Sequence, residues 1–159
     1  MLLSEHLTSE SVLIAPEVDG RDELFHLLAS VFVSSGLVSS QEAVVRRLVE
    51  REAVLSTGIG NGVAVPHAQI SGLGCLAMAA SVHPDGVPYP ALDSQPIRLV
   101  FCLIGDTNSA ADHLAGLARL ARLARKASQL EELIRAGSAE AFIATLARIE
   151  VDLASPPSR

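Results

Sequence analysis

Thr57-Gly58-Ile59-Gly60-Asn61-Gly62-Val63-Ala64-Val65-Pro66-His67-Ala68 is a glycine-rich turn that runs into a short apolar strand and ends on a single histidine. The run Gly62 to Val65 has strand character. Pro66 fixes its own φ, pushes Val65 into an extended conformation and has no N–H, so the backbone at a strand edge aims His67. Glycines 58, 60 and 62 permit left-handed turns and close backbone approach, the geometry in which consecutive N–H groups form an anion-binding nest. The loop follows a helical segment, leads into a strand and lacks the Gly-Lys-Ser/Thr ending of nucleotide-binding loops. Taken alone, the glycines fit an irregular turn as well as an anion site, and His67 alone fits a solvated loop histidine.

Upstream, Ser39-Ser40-Gln41-Glu42 reads as a capping box that opens a helix with Val44, Val45, Leu48 and Val49 toward the core, ending near Val54 or Leu55. At 3.6 residues per turn, Arg51 falls beside Val44, Leu48 and Leu55 on a partly apolar arc that also holds Glu52. An inward guanidinium is costly unless it meets an anion, and its fixed donor fork suits phosphate. The alternative is a frayed helix end from which both stems reach water. Further back, Val12 to Ala15 reads as extended, and Asp19-Gly20 leads into a helix with Leu24, Leu27, Leu28, Val31 and Phe32 on one side, ended by Gly36.

Downstream, Cys75 to Val82 and Ile97 to Ile104 read as strands, the second an almost wholly apolar central one. Between them, His83 to Gln95 carries Pro84, Pro88, Pro90 and Asp93 and reads as an exposed connection. Ser109-Ala110-Ala111-Asp112 reads as another capping box, opening a helix with Leu114, Leu117, Leu120 and Ala121. His113 then lies in a helical first turn, where the dipole favours anions and keeps an imidazole neutral; a histidine simply packed at a helix start is the alternative. Helices over about Gln129 to Ala136 and Ala139 to Ile149 follow. Arg119, Arg122, Arg125 and Lys126 form a basic stripe, read as a solvated face that complements the helix C-terminus, with a docking surface for acidic partners as the alternative. His6, His26 and His83 receive no role.

The 159 residues, 49% of them hydrophobic, suffice for one domain with a full core. That domain is expected over residues 1–150, with a tail over 151–159. Aromatics make up only 3%, so the core is aliphatic, which favours helices on a sheet in an α/β or α+β class. A net charge of −6 argues against a nucleic-acid partner. Cys75 and Cys102 lie in apolar runs without metal-ligand spacing and are expected as buried free thiols. The first residues lack a basic region followed by an apolar core, and no apolar segment approaches a spanning length, so a cytoplasmic protein without membrane insertion is expected.

Arg51-Glu52, the run Ser56 to His67 and the later Asp112-His113-Leu114 before a Leu/Ala-rich helix resemble the enzyme IIA domain of the bacterial sugar phosphotransferase system, fructose–mannitol class, including its nitrogen-regulatory branch. The similarity extends from the helix after Gly20 to the last helix near Ile149. It implies a single α/β domain, a mixed central sheet with helices on both faces, in which His67 is phosphorylated and His113 and Arg51 line the same pocket. Thr57, Gly58 and Asn61 of the loop are then the phosphate-binding candidates. The implied donor is the phosphocarrier HPr or a relative, and the implied acceptor a cysteine of an enzyme IIB domain, or regulatory targets in the nitrogen branch. In-line attack by a neutral imidazole, with Arg51 and the loop N–H groups balancing charge, needs neither metal nor cofactor.

Three positions depart from the family pattern. Asn61 stands where mannitol-type members tend to carry a carboxylate, Gln69 where a basic residue or a different small-residue pattern is frequent, and Gly105 where a proline often ends the strand. They leave the expected phosphorylation site intact and the subtype open between a sugar relay and a regulator. An anion-binding module that keeps the fold without the chemistry is the remaining alternative.

Overall fold

Alternation along Ile97–Gly105 (β6) sets the layering of the molecule. In the computed structural model, which describes residues 1–154, Leu99, Phe101 and Leu103 of β6 point into one apolar cluster and Val100, Cys102 and Ile104 into another. Both faces of the central strand are therefore covered, which accounts for its nearly unbroken apolar sequence. One cluster packs against the helices Arg21–Ser34 (α1) and Gln41–Val54 (α2). The other packs against Ala110–Leu123 (α3), Ala127–Ile134 (α4) and Ala139–Ala154 (α5).

The remaining strands are Val12–Ile14 (β1), Gly58–Gly60 (β2), Val63–Ala64 (β3), His67–Gln69 (β4) and Ala77–Val87 (β5). The sheet runs β1-β5-β6-β3-β2, and β4 continues beyond β3 along the same edge of β6. β5 pairs antiparallel with β6, whereas β3 and β4 pair parallel with it, so the sheet is mixed. The result is a single α/β domain with helices on both faces.

Local chemistry sets the element ends. Ser40 caps α2 by accepting the Ala43 N–H at 3.1 Å, one residue later than a Ser39–Glu42 box would place the cap. Gly36, at φ 78°, ends the turn after α1 in a left-handed conformation that a side chain would resist. α5 runs past Ile149 to Ala154, so the first four residues of the tail expected over 151–159 are helical, and 155–159 lie outside the described residues. The buried Glu150 explains why the helix does not stop earlier. Its carboxylate accepts the N–H groups of Leu3 and Ser4 at 2.6 and 3.0 Å, tying the N-terminal turn to the last helix, with Arg119 of the basic stripe 4.0 Å away.

Three sequence expectations change. His83 to Gln95 is not all exposed connection: β5 continues to Val87, and His83 and Tyr89 are buried. The pairing with β6 shifts register between Val82 and Val87, so Pro84 sits in an irregularity where its missing N–H is not needed by the ladder. Cys75 is exposed, because it lies in the loop before β5 rather than in the strand; Cys102 is buried, and burial raises its thiol pKa. The face that α3 buries is His113, Gly116, Leu120 and Leu123, while Leu114 and Ala121 are exposed.

Candidate functional site

β4 has β6 on one side and, among the described residues, no strand on the other. At that open edge the α2 and α3 layers approach from opposite faces of the sheet, leaving a cleft of about 460 Å³ that opens on His67. The strand is held in register by His67 opposite Leu103 and Gln69 opposite Gly105. Leu103 N–H donates to Pro66 O at 3.1 Å and Ile70 N–H to Gly105 O at 2.7 Å, gripping the histidine from both sides.

The ring of His67 is fixed as well as its backbone. Its Nδ1 lies 2.8 Å from Val65 O. A carbonyl oxygen only accepts, so the proton is assigned to Nδ1, and Nε2 keeps its lone pair. Burial lowers the His67 pKa below 6.5, the Arg51 charge lowers it further, and the Val65 hydrogen bond opposes both. The imidazole is neutral at pH 7, as a nitrogen nucleophile requires.

His113 faces His67 edge to face, with 5.4 Å between ring centroids and 69° between ring planes. Its position follows from the start of α3. The cap there is one turn earlier than Ser109–Asp112: Asp106 accepts from the Asn108 and Ser109 N–H groups, and its own N–H donates to Ser109 Oγ at 2.9 Å. Asp106 also accepts the Gly74 N–H, which ties the loop before β5 to this corner. These bonds, the Gly74 one foremost, lower the Asp106 pKa. A Cβ on Gly105 would come within 2.7 Å of Ser109 Oγ and 3.3 Å of His113 Nδ1, so a side chain there would force the corner that holds the second histidine to shift. Burial, followed by the charge on a protonated His67, lowers the His113 pKa.

From α2, Arg51 lines the same cleft, with Nη1 donating to Leu55 O at 2.9 Å. The structure thus brings His67, His113 and Arg51 together. It does not bring Thr57, Gly58 or Asn61 with them, because the glycine loop folds as a β2–β3 ribbon whose donors are already committed. Thr57 is buried: its N–H and Oγ1 donate to Glu52 at 2.9 and 2.6 Å, and Tyr89 OH is 2.8 Å from the same Oγ1. Gly58 N–H donates to Ser56 Oγ, and a Cβ there would lie 2.7 Å from Ala91 Cα. Asn61 donates from its backbone to Asp93 and from Nδ2 to Ala124 O. These residues place the strand that carries His67, and none of the three lines its cleft.

Sequence reasoning missed two features of the cleft. Arg47 and Glu50 of α2 lie on its wall, as does the exposed Leu114 beside His113. The i, i+4 spacing of Arg47 and Arg51 was the available signal. Among the described residues, no group of three His, Cys, Asp or Glu side chains is arranged to hold a metal ion, and no helix is long and apolar enough to cross a membrane.

Residues 5–149 match the protein-family model described as "Phosphoenolpyruvate-dependent sugar phosphotransferase system, EIIA 2". The chain is 30% identical over 143 residues to the fructose-specific EIIABC component of the phosphotransferase system of Bacillus subtilis. That match takes in 90% of this chain but only 22% of the relative's length. A nitrogen regulatory protein of Bradyrhizobium diazoefficiens is 30% identical over 148 residues, covering 92% of this chain and 95% of that one. Among solved structures, nitrogen regulatory protein IIA-Ntr from Neisseria meningitidis superposes with a TM-score of 0.83 at 31% identity, over 91% of this chain and 98% of that one.

Proposed function

The chain belongs to the EIIA 2 family of the phosphoenolpyruvate-dependent sugar phosphotransferase system, and we propose that within it His67 accepts a phosphoryl group on Nε2 and hands it to a further protein. The observation that carries this reading is the Nδ1 hydrogen bond to Val65 O, which leaves Nε2 as the ring's free lone pair in a cleft shared with Arg51. Nε2 attacks phosphorus in line as the bond from phosphorus to the donor atom breaks with its electron pair. The His67 proton stays on Nδ1, held by Val65 O. Where the donor is a protonated phosphohistidine, the leaving imidazole departs neutral and no other proton need move. Arg51 balances charge on the transferring oxygens, and His113 offers the second imidazole.

The donor is an HPr-like phosphocarrier, and the acceptor in a sugar relay is an enzyme IIB cysteine, with the chain acting in the cytoplasm. The Bacillus subtilis relative's name joins A, B and C components in one protein, which supports IIB as the next station. The second reading is a regulator whose partners depend on whether His67 is phosphorylated. It is favoured by the match over nearly the whole length of two nitrogen regulatory proteins. Pull-downs with wild type and His67→Asp separate the two: different partner sets indicate regulation, and identical sets, with phosphoryl passing to a IIB domain, indicate the relay.

A further inference from the structure

We propose that Arg47 is a second phosphoryl-binding guanidinium, which exchanges Glu50 for the phosphoryl oxygens when His67 is loaded; this rests on the reading of His67 as the phosphoryl acceptor. Arg47 stands one helical turn before Arg51 on α2, and both line the cleft that opens on His67. Its partner at rest is Glu50 on the same wall, at 3.5 Å between Nη1 and Oε2, with the two side chains 55% and 56% exposed. An exposed pair at that distance is held weakly and yields readily to a stronger anion.

The charge count makes the case. With both imidazoles neutral, the cleft wall carries Arg47 and Arg51 against Glu50, a net of one positive charge. Without Arg47 the wall is neutral, in a chain whose overall charge is −6. Arg51 has one Nη1 donor committed to Leu55 O. A phosphoryl group brings roughly −1.5 to −2 of charge and three acceptor oxygens, more than one partly committed guanidinium balances. The Glu50 carboxylate adds repulsion unless a cation lies between it and the incoming group. Arg47 lines the same cleft as His67, and release from Glu50 frees its fork for an anion there.

The test loads the protein with phosphoramidate, so that no protein partner is needed. The reagent's P–N bond breaks as Nε2–P forms, and ammonia leaves. Phosphorus NMR and the hydrolysis half-life of the phosphohistidine are then compared in wild type, Arg47→Gln, Arg47→Lys and Arg46→Gln, together with the equilibrium of phosphoryl exchange with a phosphohistidine donor. Arg46 is exposed on α2 and outside the cleft, so it controls for charge alone. Expected for Arg47→Gln are a moved phosphorus resonance and an equilibrium about tenfold less favourable, with partial recovery in Arg47→Lys and wild-type behaviour in Arg46→Gln. A resonance and equilibrium unchanged in Arg47→Gln, or an equal loss in Arg46→Gln, would overturn the proposal while His67 remains the acceptor. If wild type takes no phosphoryl group at His67, both readings fall together.

Discussion

His67 and His113 meet edge to face, 5.4 Å between centroids and 69° between planes, so the two rings share one half-buried cleft in which neither easily takes up a second proton. Burial is the main cause for both, and a charge on His67 further disfavours one on His113.

Phosphoryl acceptance should therefore have an acid limb with its midpoint below 6.5. The neutral nucleophile is present above the folded pKa and is lost as pH falls through it. Arg51→Gln removes one cause of the lowering, so it should shift that midpoint upward while slowing transfer by about 10²–10³-fold. Initial rates from pH 5 to 8 in both proteins check this; a wild-type midpoint at or above 6.5 would contradict it.

Gly105→Ala should disturb this corner without touching a reacting atom. Its Cβ would press on Ser109 Oγ at 2.7 Å and His113 Nδ1 at 3.3 Å. Overpacking of this kind costs about 1–3 kcal/mol. Urea unfolding should show that loss, and the His113 ring resonances should move; an unchanged midpoint and spectrum would refute the account of this glycine.

Glu52 holds the Thr57 backbone and hydroxyl from a buried position. Glu52→Ala leaves the Thr57 N–H unsatisfied, at a cost of about 1–3 kcal/mol. The expected result is lower stability and faster amide exchange at Thr57, with His67 still accepting phosphoryl. Full stability with abolished acceptance would instead put the Thr57 loop in the reacting site.

His83 has its pKa lowered to about 4 by burial, with Nε2 2.8 Å from Ser81 Oγ. Below pH 6.5 the unfolded chain binds a proton that the folded chain refuses until about pH 4. Stability from this group is thus complete above 6.5 and falls as pH drops through that window. His83→Asn should flatten the decline between pH 6.5 and 4.5 in denaturant titrations. Parallel pH profiles for wild type and variant would count against this.

Pattern made the layers legible: the apolar faces of α1 and α2 could be read because burial on a helix repeats every third or fourth residue, and β6 because a strand covered on both faces is apolar throughout. The aim of His67 could be read from Pro66 and the turn before it, whereas its sharing a pocket with Arg51 and His113 was implied by the family resemblance. Less was visible where distant partners decide. The donors of Thr57 and Asn61 look free for an anion until Glu52, Asp93 and Ala124 are placed beside them. The strand through Pro84 depends on a register shift against β6. The cap at Asp106 is local, its carboxylate accepting the Asn108 and Ser109 N–H groups, but its tie to Gly74 is not, and Leu114, apolar at helical spacing, borders a cleft.

The central claim is most directly tested by incubating the protein with phosphorylated HPr, mapping the acid-labile phosphate to a residue by mass spectrometry and to a ring nitrogen by NMR of the phosphorylated imidazole. The phosphoryl group should appear on His67 at Nε2 and be absent from His67→Gln. Label on another residue, label that survives His67→Gln, or no label on the wild type would contradict it.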